Sequence, residues 1–217
     1  MISLRTEPYR DQDARWPARG RHILAHFDDT TVVVYQAYRP SIGHYAATHG
    51  RFGGEFSFER MSWIKPNFLW MMFRSGWGTK SDQEVTLAVH LRREGFDAIL
   101  AEAVHSGYAP EVYPTRDAWQ TAVKRSNVRI QWDPDHAPGG TPVERRAIQL
   151  GLRASVLRRY AEEWTVKIED LSAFVAAQRE HRLSRDHGLL VTPREEVYPV
   201  RDPAVAARLG LSPLTER

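Results

Sequence analysis

The sequence contains no cysteine among its 217 residues. This absence excludes disulfide bonds, thiolate metal sites, iron–sulfur clusters and a cysteine nucleophile. Long apolar runs are also missing, since no stretch approaches the roughly 18 residues that a membrane span requires. The charged first segment lacks the apolar core of a signal peptide. We therefore expect a soluble, cytoplasmic protein that does not bind a membrane.

Several motifs of well-known chemistries are missing as well. Neither GxGxxG nor GxxxxGK[ST] occurs, which excludes a dinucleotide-binding Rossmann motif and a P-loop. Without GxSxG, a serine hydrolase would need long-range assembly of its residues. Asp133, Asp135 and His136 could ligate a metal, but the proline and glycine residues around them favour a turn. No metal site is expected.

The composition that remains is globular and rich in arginine. Hydrophobic residues make up 42% of the chain and charged residues 26%, which is enough apolar character for a core. The net charge is only +3, but nearly all cationic residues are arginine, and seven tryptophans are present. Arginine binds phosphate in a bidentate manner, which indicates nucleotides or nucleic acid. The alternative is a solvated arginine-rich surface, which the charge alone favours.

Apolar periodicity and turn residues predict an irregular order of strands and helices. The predicted strands are 21–27, 30–38, 85–91, 128–132, 147–152 and 165–168. The predicted helices are 40–49, 93–104, 117–124, 156–162 and 171–181. The first two strands form a hairpin in this prediction, Asp117 caps its helix, and 133–142 is a loop. This mixture predicts an α+β fold, with a single domain over 1–181 and an extended, poorly packed tail over 182–217.

The segment 60–78 combines tryptophan and other aromatic residues with polar and cationic residues. Trp63, Trp70 and Trp77 recur every seven residues, and six apolar residues follow one another from Phe68 to Phe73. One interpretation is a core element, because tryptophan is highly buried on average. The other is a nucleotide site, because aromatic rings stack on bases while cations bind phosphates. The polar residues that bracket the run are Lys65, Asn67, Arg74 and Ser75.

A second cationic segment contains five arginines between Arg145 and Arg159. Two of them precede a predicted strand, and two more lie on the following helix. A phosphate-binding strip is the functional interpretation. A solvated basic face is the alternative, and the sequence favours it slightly.

Four strings of the sequence resemble the bacterial and fungal family named domain of unknown function 4291. They are TVVVYQAYRPSI, RMSWIKPNFLWMMFRSGWGTK, RRAIQLGLRASVLRRYAEEW and VKIEDLSAFV. The resemblance covers about 160 residues, from Trp16 to Val175, and its central string is highly specific. The family label implies no known activity.

A more distant resemblance is to ADP-ribosyltransferases. The segment from Tyr35 to Pro40 is similar to their first block, a strand that holds the nicotinamide ribose and leads into a helix ending in glycine. Residues 67–78 are similar to the aromatic strand of the members that modify DNA. Residues 147–160 look like the last block, in which the catalytic glutamate opens a strand. The resemblance implies a split, mostly antiparallel sheet flanked by helices.

The resemblance also implies roles for individual residues. Gln36 and Tyr38 would position NAD, and Gln149 would bind the ribose. The expected contacts to the phosphates of NAD are Arg39, Lys65 and Arg74, with Asn67 and Ser75 beside them, and Trp70 or Trp77 would stack on nicotinamide or on an acceptor base.

Two departures from the family pattern affect the chemistry. Glutamine stands at position 36 in place of histidine or arginine, and near position 149 in place of glutamate. A glutamine forms hydrogen bonds but supplies no negative charge to an oxocarbenium-like transition state. Glu144 would take the place of the catalytic glutamate if the alignment with the family were shifted. These departures leave three alternatives, which are altered chemistry, a fold kept without the activity, and an accidental likeness.

Three classes of function follow from these observations. The first is transfer of ADP-ribose from NAD, which serves as a substrate, to an acceptor that is preferably nucleic acid. The second is a non-catalytic module that binds a nucleotide or single-stranded nucleic acid by stacking and phosphate contacts. The third is an interaction protein without a small ligand. Convergence of Gln36, Arg74 and Gln149 on one cleft would favour the first class, and the transfer as the resemblance implies it would fail if these residues were scattered.

Overall fold

The computed structural model describes residues 4–183 and 187–214. The strands are β1 (Thr6–Pro8), β2 (Gly20–Arg21), β3 (Leu24–Ala25), β4 (Thr31–Tyr38), β5 (Ser62–Ile64), β6 (Val85–Arg92), β7 (Ala103–His105), β8 (Val128–His136), β9 (Pro142–Leu152), β10 (Thr165–Asp170), β11 (Val191–Pro193) and β12 (Glu196–Val197). The helices are α1 (Tyr9–Asp13), α2 (Pro40–His49), α3 (Phe68–Ser75), α4 (Arg93–Glu102), α5 (Arg116–Arg125), α6 (Ala154–Arg159), α7 (Ser172–Arg179) and α8 (Pro203–Leu209), and a π-helical turn, Tyr160–Trp164, follows α6. No helix in these two ranges is both long enough and apolar enough to cross a membrane.

The predicted α+β class is confirmed, and the strands form several mostly antiparallel sheets. The central sheet has three antiparallel strands in the order β10-β6-β4. Its strand β4 has Val32 and Val34 in one core cluster and Val33 and Tyr35 in another. The alternation of side chains along a strand explains this arrangement, because successive residues face opposite sides of the sheet. The predicted strand at 30–38 is therefore confirmed, and it is buried on both faces.

The second sheet has the order β2-β9-β8-β7, and β5 pairs with β9 beside this path. The long β8–β9 pair is antiparallel, whereas β2–β9 and β7–β8 are parallel. Ile130, Ile148 and Leu150 point from this sheet into the larger core cluster. The opposite face carries polar side chains, among them Gln131 and Gln149, which are neighbours in register.

The two sheets meet where β4 passes the end of β5. The backbone N–H of Tyr35 donates to the carbonyl of Lys65 at 2.7 Å, and the N–H of Lys65 donates to the carbonyl of Tyr35 at 3.1 Å. Beyond this bridge, the end of β4 and the beginning of β5 border a cleft that contains residues from both strands.

Helix α2 confirms the prediction for 40–49. Proline suits the first helical position because its missing N–H has no partner there in any case. The helix ends at Gly50, whose φ of 64° places it in the left-handed region that glycine adopts without strain.

Helix α3 differs from the strand that the resemblance implied for 67–78. The six apolar residues in a row carry no helical or strand period, so the local sequence could not decide between the two. In the structure, Asn67 caps the helix, and its Oδ1 accepts from the Trp70 N–H at 2.6 Å. Helix α3 is buried along most of its length, which its nearly unbroken apolar sequence permits.

Three local predictions are corrected. The cap of α5 is Thr115, whose hydroxyl accepts from the Ala118 N–H, and Asp117 lies inside the helix. Residues 133–136 continue β8, so the predicted loop shrinks to a turn before β9. The predicted strand at 21–27 is reduced to short pieces, whereas its hairpin is kept in a short form: Phe27 bridges Val32, the Asp28 N–H donates to the Thr31 carbonyl at 2.9 Å, and the Val33 N–H donates to the His26 carbonyl at 2.8 Å.

The segment after residue 189 packs onto the rest of the molecule. Strand β11 pairs with β1, and β12 pairs with β3. Leu190, Tyr198 and Leu209 are buried. The expectation of an extended, poorly packed tail is therefore wrong for these residues, because their few large apolar side chains fill positions in the core. The division of the chain at residue 181 stays a prediction.

Candidate functional site

A cleft of about 440 Å³ opens beside the end of β4 and the N-terminal turn of α2. We call it the β4–β5 cleft. It is lined by Gln36, Ala37, Tyr38, Arg39, Ile42, Glu55, Phe56, Ser57, Arg60, Met61, Ser62, Trp63, Lys65, Met71, Asp82 and Gln83. Its volume lies within the range of sites for small molecules and cofactors.

Gln36 lies at the wall of the cleft, but its amide is engaged inside the protein. Its Nε2 donates to the hydroxyl oxygens of Tyr38 at 2.7 Å and Ser62 at 2.8 Å. Its Oε1 accepts from the Tyr160 hydroxyl at 2.6 Å. Burial raises the pKa of both tyrosines, so their hydroxyls stay protonated. We call these four residues the Gln36 network; it holds the cleft wall in one arrangement.

The rim of the cleft carries charges of both signs. Arg39 forms an exposed ion pair with Glu55 at 2.6 Å. Arg60 is exposed, and none of the residues in the described ranges forms an ion pair with it. The lining residues Arg39, Arg60 and Lys65 outnumber the acidic Glu55 and Asp82, so the cleft favours an anionic ligand.

Lys65 lies at the junction of the two sheets and lines the cleft. It is only 6% exposed, yet in the described part of the chain no side chain or carbonyl accepts from its Nζ. Burial is the largest cause that lowers the pKa of Lys65, to about 8. The positive charge of Arg74 acts in the same direction, and the carboxylate of Asp133 opposes it. A buried lysine is usually paired, so this one is unusual.

Gln149 does not line the cleft; its amide holds a carboxylate. Its Nε2 donates to Oδ2 of Asp133 at 2.7 Å, and Nε2 of Gln131 donates to Oδ1 of the same residue at 2.8 Å. We call these three residues the Asp133 clamp. Because Leu150 faces the core, its neighbour Gln149 lies on the opposite face of the sheet, opposite Gln131.

The aromatic residues of α3 form a stack away from the cleft. Phe73 lies parallel to His136 with 3.5 Å between ring centroids, and Trp70 is stacked against both rings at 5.5 Å. Trp70 is buried, whereas Phe73 is 38% exposed. Arg74 is exposed on the same helix, and its charge reaches Lys65.

Three other predicted site residues lie inside the protein. The Nδ2 of Asn67 donates to Glu195, a buried carboxyl that also accepts from the Phe68 N–H at 2.7 Å. Burial raises the pKa of Glu195 well above its usual range. The Ser75 hydroxyl donates to the Met71 carbonyl, and Trp77 is buried with its Nε1 donating to the Pro138 carbonyl.

The arginines between 145 and 159 do not share one environment. Arg145 is buried, pairs with Asp135 at 2.8 Å and lies over the Trp16 ring. Arg153 donates to backbone carbonyls after α5, and Arg158 and Arg159 are largely exposed near glutamates. A continuous phosphate-binding strip therefore does not form.

Four of the ten predicted site residues thus line the β4–β5 cleft: Gln36, Tyr38, Arg39 and Lys65. Gln36, Arg74 and Gln149 therefore do not converge on this cleft, since Arg74 and Gln149 lie outside its lining. Arg74 and Asp133 act on Lys65 only through their charges. The sequence reasoning considered Asp133 as a metal ligand in a turn and missed its contact with Gln149, although its spacing from Gln131 places both on one face of a strand. It also missed Glu195, for which no local signal exists.

A comparison with family models identifies the chain. The model described as Domain of unknown function (DUF4291) matches residues 22–198, which is most of the chain. A search of the curated proteins finds no match. The matched range contains the complete lining of the β4–β5 cleft, the Asp133 clamp and Glu195. The chain therefore belongs to the DUF4291 family.

Proposed function

We propose that the protein binds a nucleotide in the β4–β5 cleft, that this nucleotide is NAD, and that the protein transfers ADP-ribose from it to nucleic acid. The observation that carries the proposal is the common location of Gln36, Tyr38, Arg39 and Lys65 at one cleft. Arg74 and Gln149 lie outside the cleft, so this proposal departs from the set of residues that the resemblance to ADP-ribosyltransferases implies.

The size and charge of the cleft support a phosphate-bearing ligand. Arg39 and Arg60 at the rim offer guanidinium groups, which bind phosphate oxygens in a bidentate manner. Trp63 is half-buried and lines the same cleft, so its ring offers a surface for stacking on a base or on nicotinamide. In this proposal the diphosphate contacts the arginines and the ribose lies deeper, near Lys65.

The Asp133 clamp offers an answer to the missing glutamate. An ADP-ribosyl transfer requires negative charge near the oxocarbenium-like transition state, and the amide of Gln149 supplies none. The carboxylate of Asp133 is fixed by Gln149 and Gln131, and its charge acts on Lys65, which lines the cleft. We therefore assign the electrostatic role to Asp133 and a positioning role to Gln149.

Binding is tested by titrating the protein with NAD in a calorimeter, using two matched variants. Arg60→Ala removes a rim cation that forms no ion pair with any residue in the described ranges, and we expect its affinity for NAD to fall by roughly tenfold, about 1.4 kcal/mol. Arg125→Ala removes an exposed arginine at the end of α5, outside the cleft, and serves as the control. Absence of NAD binding by the native protein, or an equal loss in both variants, would refute the proposed ligand.

Transfer is tested separately, with NAD labelled in its adenylate part and incubated with single-stranded RNA and DNA. Label that moves to nucleic acid, together with release of nicotinamide, is the expected result. If the protein binds NAD but no label moves to RNA, DNA or the protein itself, the transfer is wrong and the nucleotide site stands.

A second candidate is a non-catalytic module that binds single-stranded nucleic acid, and Phe73 favours it. This ring is partly exposed, is stacked on His136, and lies next to Arg74 and near Lys80. Stacking on such a ring contributes about 1–3 kcal/mol per base, and phosphate contacts make the affinity fall as salt rises. We expect Phe73→Ala to weaken RNA binding without changing NAD affinity, as measured by fluorescence anisotropy at several salt concentrations. RNA binding that is unaffected by Phe73→Ala and by salt would exclude this candidate.

A further inference from the structure

The amine of Lys65 has a position that the fold does not require. Both backbone hydrogen bonds of this residue go to Tyr35, and these bonds are available to almost any amino acid. An apolar side chain at the same place would avoid the cost of burying an ammonium group. The sheet junction therefore does not explain why this residue is a lysine. The explanation lies in the cleft that Lys65 lines.

The surroundings of Lys65 favour a reactive amine. Among residues 4–183 and 187–214, no carboxylate lies within ion-pair distance of its Nζ. The charged groups that act on it are Arg74 from α3 and Asp133 from β8, and the remaining charges around the cleft are Arg39, Glu55, Arg60 and Asp82. With a pKa of about 8, Lys65 contains roughly 100-fold more neutral amine at pH 7 than an ordinary lysine does.

We propose that Lys65 is a nucleophile that forms an imine with the aldehyde carbon of an open-chain sugar phosphate bound in the β4–β5 cleft. The neutral amine attacks the carbonyl carbon, and the resulting carbinolamine loses its hydroxyl group as water. The two protons that leave the nitrogen depart with the former carbonyl oxygen, so no oxidant or reductant is needed. The inference rests on the proposed nucleotide site, because ADP-ribose, the sugar phosphate considered first, is the group that this site would transfer.

The cleft suits this class of ligand. The guanidinium groups of Arg39 and Arg60 at the rim match the phosphate groups, and the hydroxyls of Tyr38 and Ser62 line the wall where a ribose would lie. A sugar phosphate anchored by its charge would hold its carbonyl end near Lys65. This anchoring distinguishes the proposed site from a lysine that reacts with any small aldehyde.

The test traps the imine by reduction. The protein is incubated with ADP-ribose and cyanoborohydride, and the adduct is located by intact mass and peptide mapping. We expect one adduct per chain, at Lys65 and not at the other three lysines. The rate at Lys65 should begin to rise at a lower pH than the rate at an ordinary lysine, because its amine becomes neutral near pH 8. An adduct spread evenly over the four lysines would overturn the proposal.

Three variants serve as controls. Lys65→Met should lose the adduct and keep its fold, because the residue is only 6% exposed and no described residue accepts a hydrogen bond from its amine. Lys65→Arg keeps the positive charge but cannot form an imine under these conditions, so it gives a second test if the methionine variant unfolds. Lys124→Met removes an exposed lysine of α5 and should retain the adduct. Adduct formation that persists in folded Lys65→Arg would overturn the assignment.

Experiments with NAD and with free sugar phosphates distinguish a failure of this inference from a failure of the proposed function. NAD has no free aldehyde at its nicotinamide ribose, so it forms no imine until the bond to nicotinamide is broken. Trapping of ADP-ribose or ribose 5-phosphate at Lys65, in a protein that neither binds nor cleaves NAD, supports the reactive lysine and refutes the transfer. Transfer from NAD without any adduct at Lys65 refutes the reactive lysine and leaves the transfer in place.

Discussion

Two groups of polar side chains in and near the cleft form closed arrangements, and the amine of Lys65 lies outside both. In the Gln36 network, every polar atom of the glutamine side chain has a partner. In the Asp133 clamp, each carboxylate oxygen accepts from one amide. Such satisfied groups fix geometry, because a buried polar atom without a partner costs free energy. Lys65 is positioned by its backbone and not by its side chain, which leaves its amine available for a ligand.

The Asp133 clamp gives a prediction for Gln149→Glu. This variant replaces a hydrogen-bond donor with a carboxylate that faces the carboxylate of Asp133. We expect the free energy of unfolding at pH 8 to fall by about 1–3 kcal/mol, because two like charges then share one site. The mutual repulsion raises the pKa of the pair in the folded state above its unfolded value. The stability is therefore retained at low pH and lost as the pH rises through the range of ordinary carboxyl pKa values.

The measurement is denaturant unfolding at about pH 3.5 and about pH 8, which lie below and above the ordinary carboxyl pKa values of about 3.9 and 4.3. Gln149→Met is the control, since it removes the donor without adding a charge and should be destabilised to a similar degree at both pH values. A pH-independent loss in Gln149→Glu would contradict the assigned contact with Asp133.

Residues of the site differ in how far the sequence could predict them. Lys65 was predicted from a cation beside an aromatic segment, and it lines the cleft. Trp70 and Trp77 were predicted on the same grounds, but both are buried, and the exposed ring is that of Phe73. Spacing along the chain does not tell which side of an all-apolar helix faces solvent, because such a helix has no polar face.

At the scale of elements, helix α3 is capped by the residue that directly precedes it and by a second residue far along the chain. Asn67 accepts from the Trp70 N–H, and Glu195 accepts from the Phe68 N–H. The two caps also contact each other, with 3.2 Å between Nδ2 of Asn67 and Oε2 of Glu195. Because these first-turn N–H groups are buried, they would otherwise lack partners. The position of the aromatic stack thus depends on the segment after residue 189.

These caps predict coupled losses of stability. Asn67→Ala should lower the free energy of unfolding by about 1–2 kcal/mol, and Glu195→Ala by about 1–3 kcal/mol. The double variant should lose less than the sum, since each single change already breaks the shared contact. Denaturant unfolding of the native protein, the two single variants and the double variant provides the double-mutant cycle. Asn127→Ala, which removes an exposed hydrogen bond to Ser155, is the control and should change stability by less than about 0.5 kcal/mol. Strict additivity would show that the two caps act independently.

Elements with a local signature could be predicted, and those fixed by tertiary contacts could not. Helix α2 begins with proline and ends at glycine, and β4 contains three consecutive β-branched residues. Both were predicted with nearly correct bounds. In β8 the sequence Asp133–His136 contains turn-forming residues, yet it continues the strand because β9 pairs with it across a register shift. Cross-strand pairing overrode local turn preference there.

At the scale of the whole molecule, the two ends of the described chain hold each other in place. Strand β1 pairs with β11, and the side chain of Gln12 donates to Thr192 while accepting from the Glu195 N–H. Composition alone predicted a poorly packed tail, because prolines and charges dominate it. The tail contributes to the fold through contacts with residues about 180 positions earlier in the chain, and no local pattern in the sequence reveals such contacts.

This packing of the two chain ends predicts that substitutions at two neighbouring leucines change the free energy of unfolding by very different amounts. Leu190 is fully buried in the cluster around α3, whereas Leu189 is 72% exposed. Leu190→Ala should lower the free energy of unfolding by about 2–5 kcal/mol, because it removes buried methyl groups and leaves a cavity. Leu189→Ala should change it by less than about 0.5 kcal/mol. Denaturant unfolding of both variants provides the measurement. Similar values would mean that the tail does not share the cooperative core, whereas the expected contrast would place the residues around Leu190 in the same folding unit as the β4–β5 cleft.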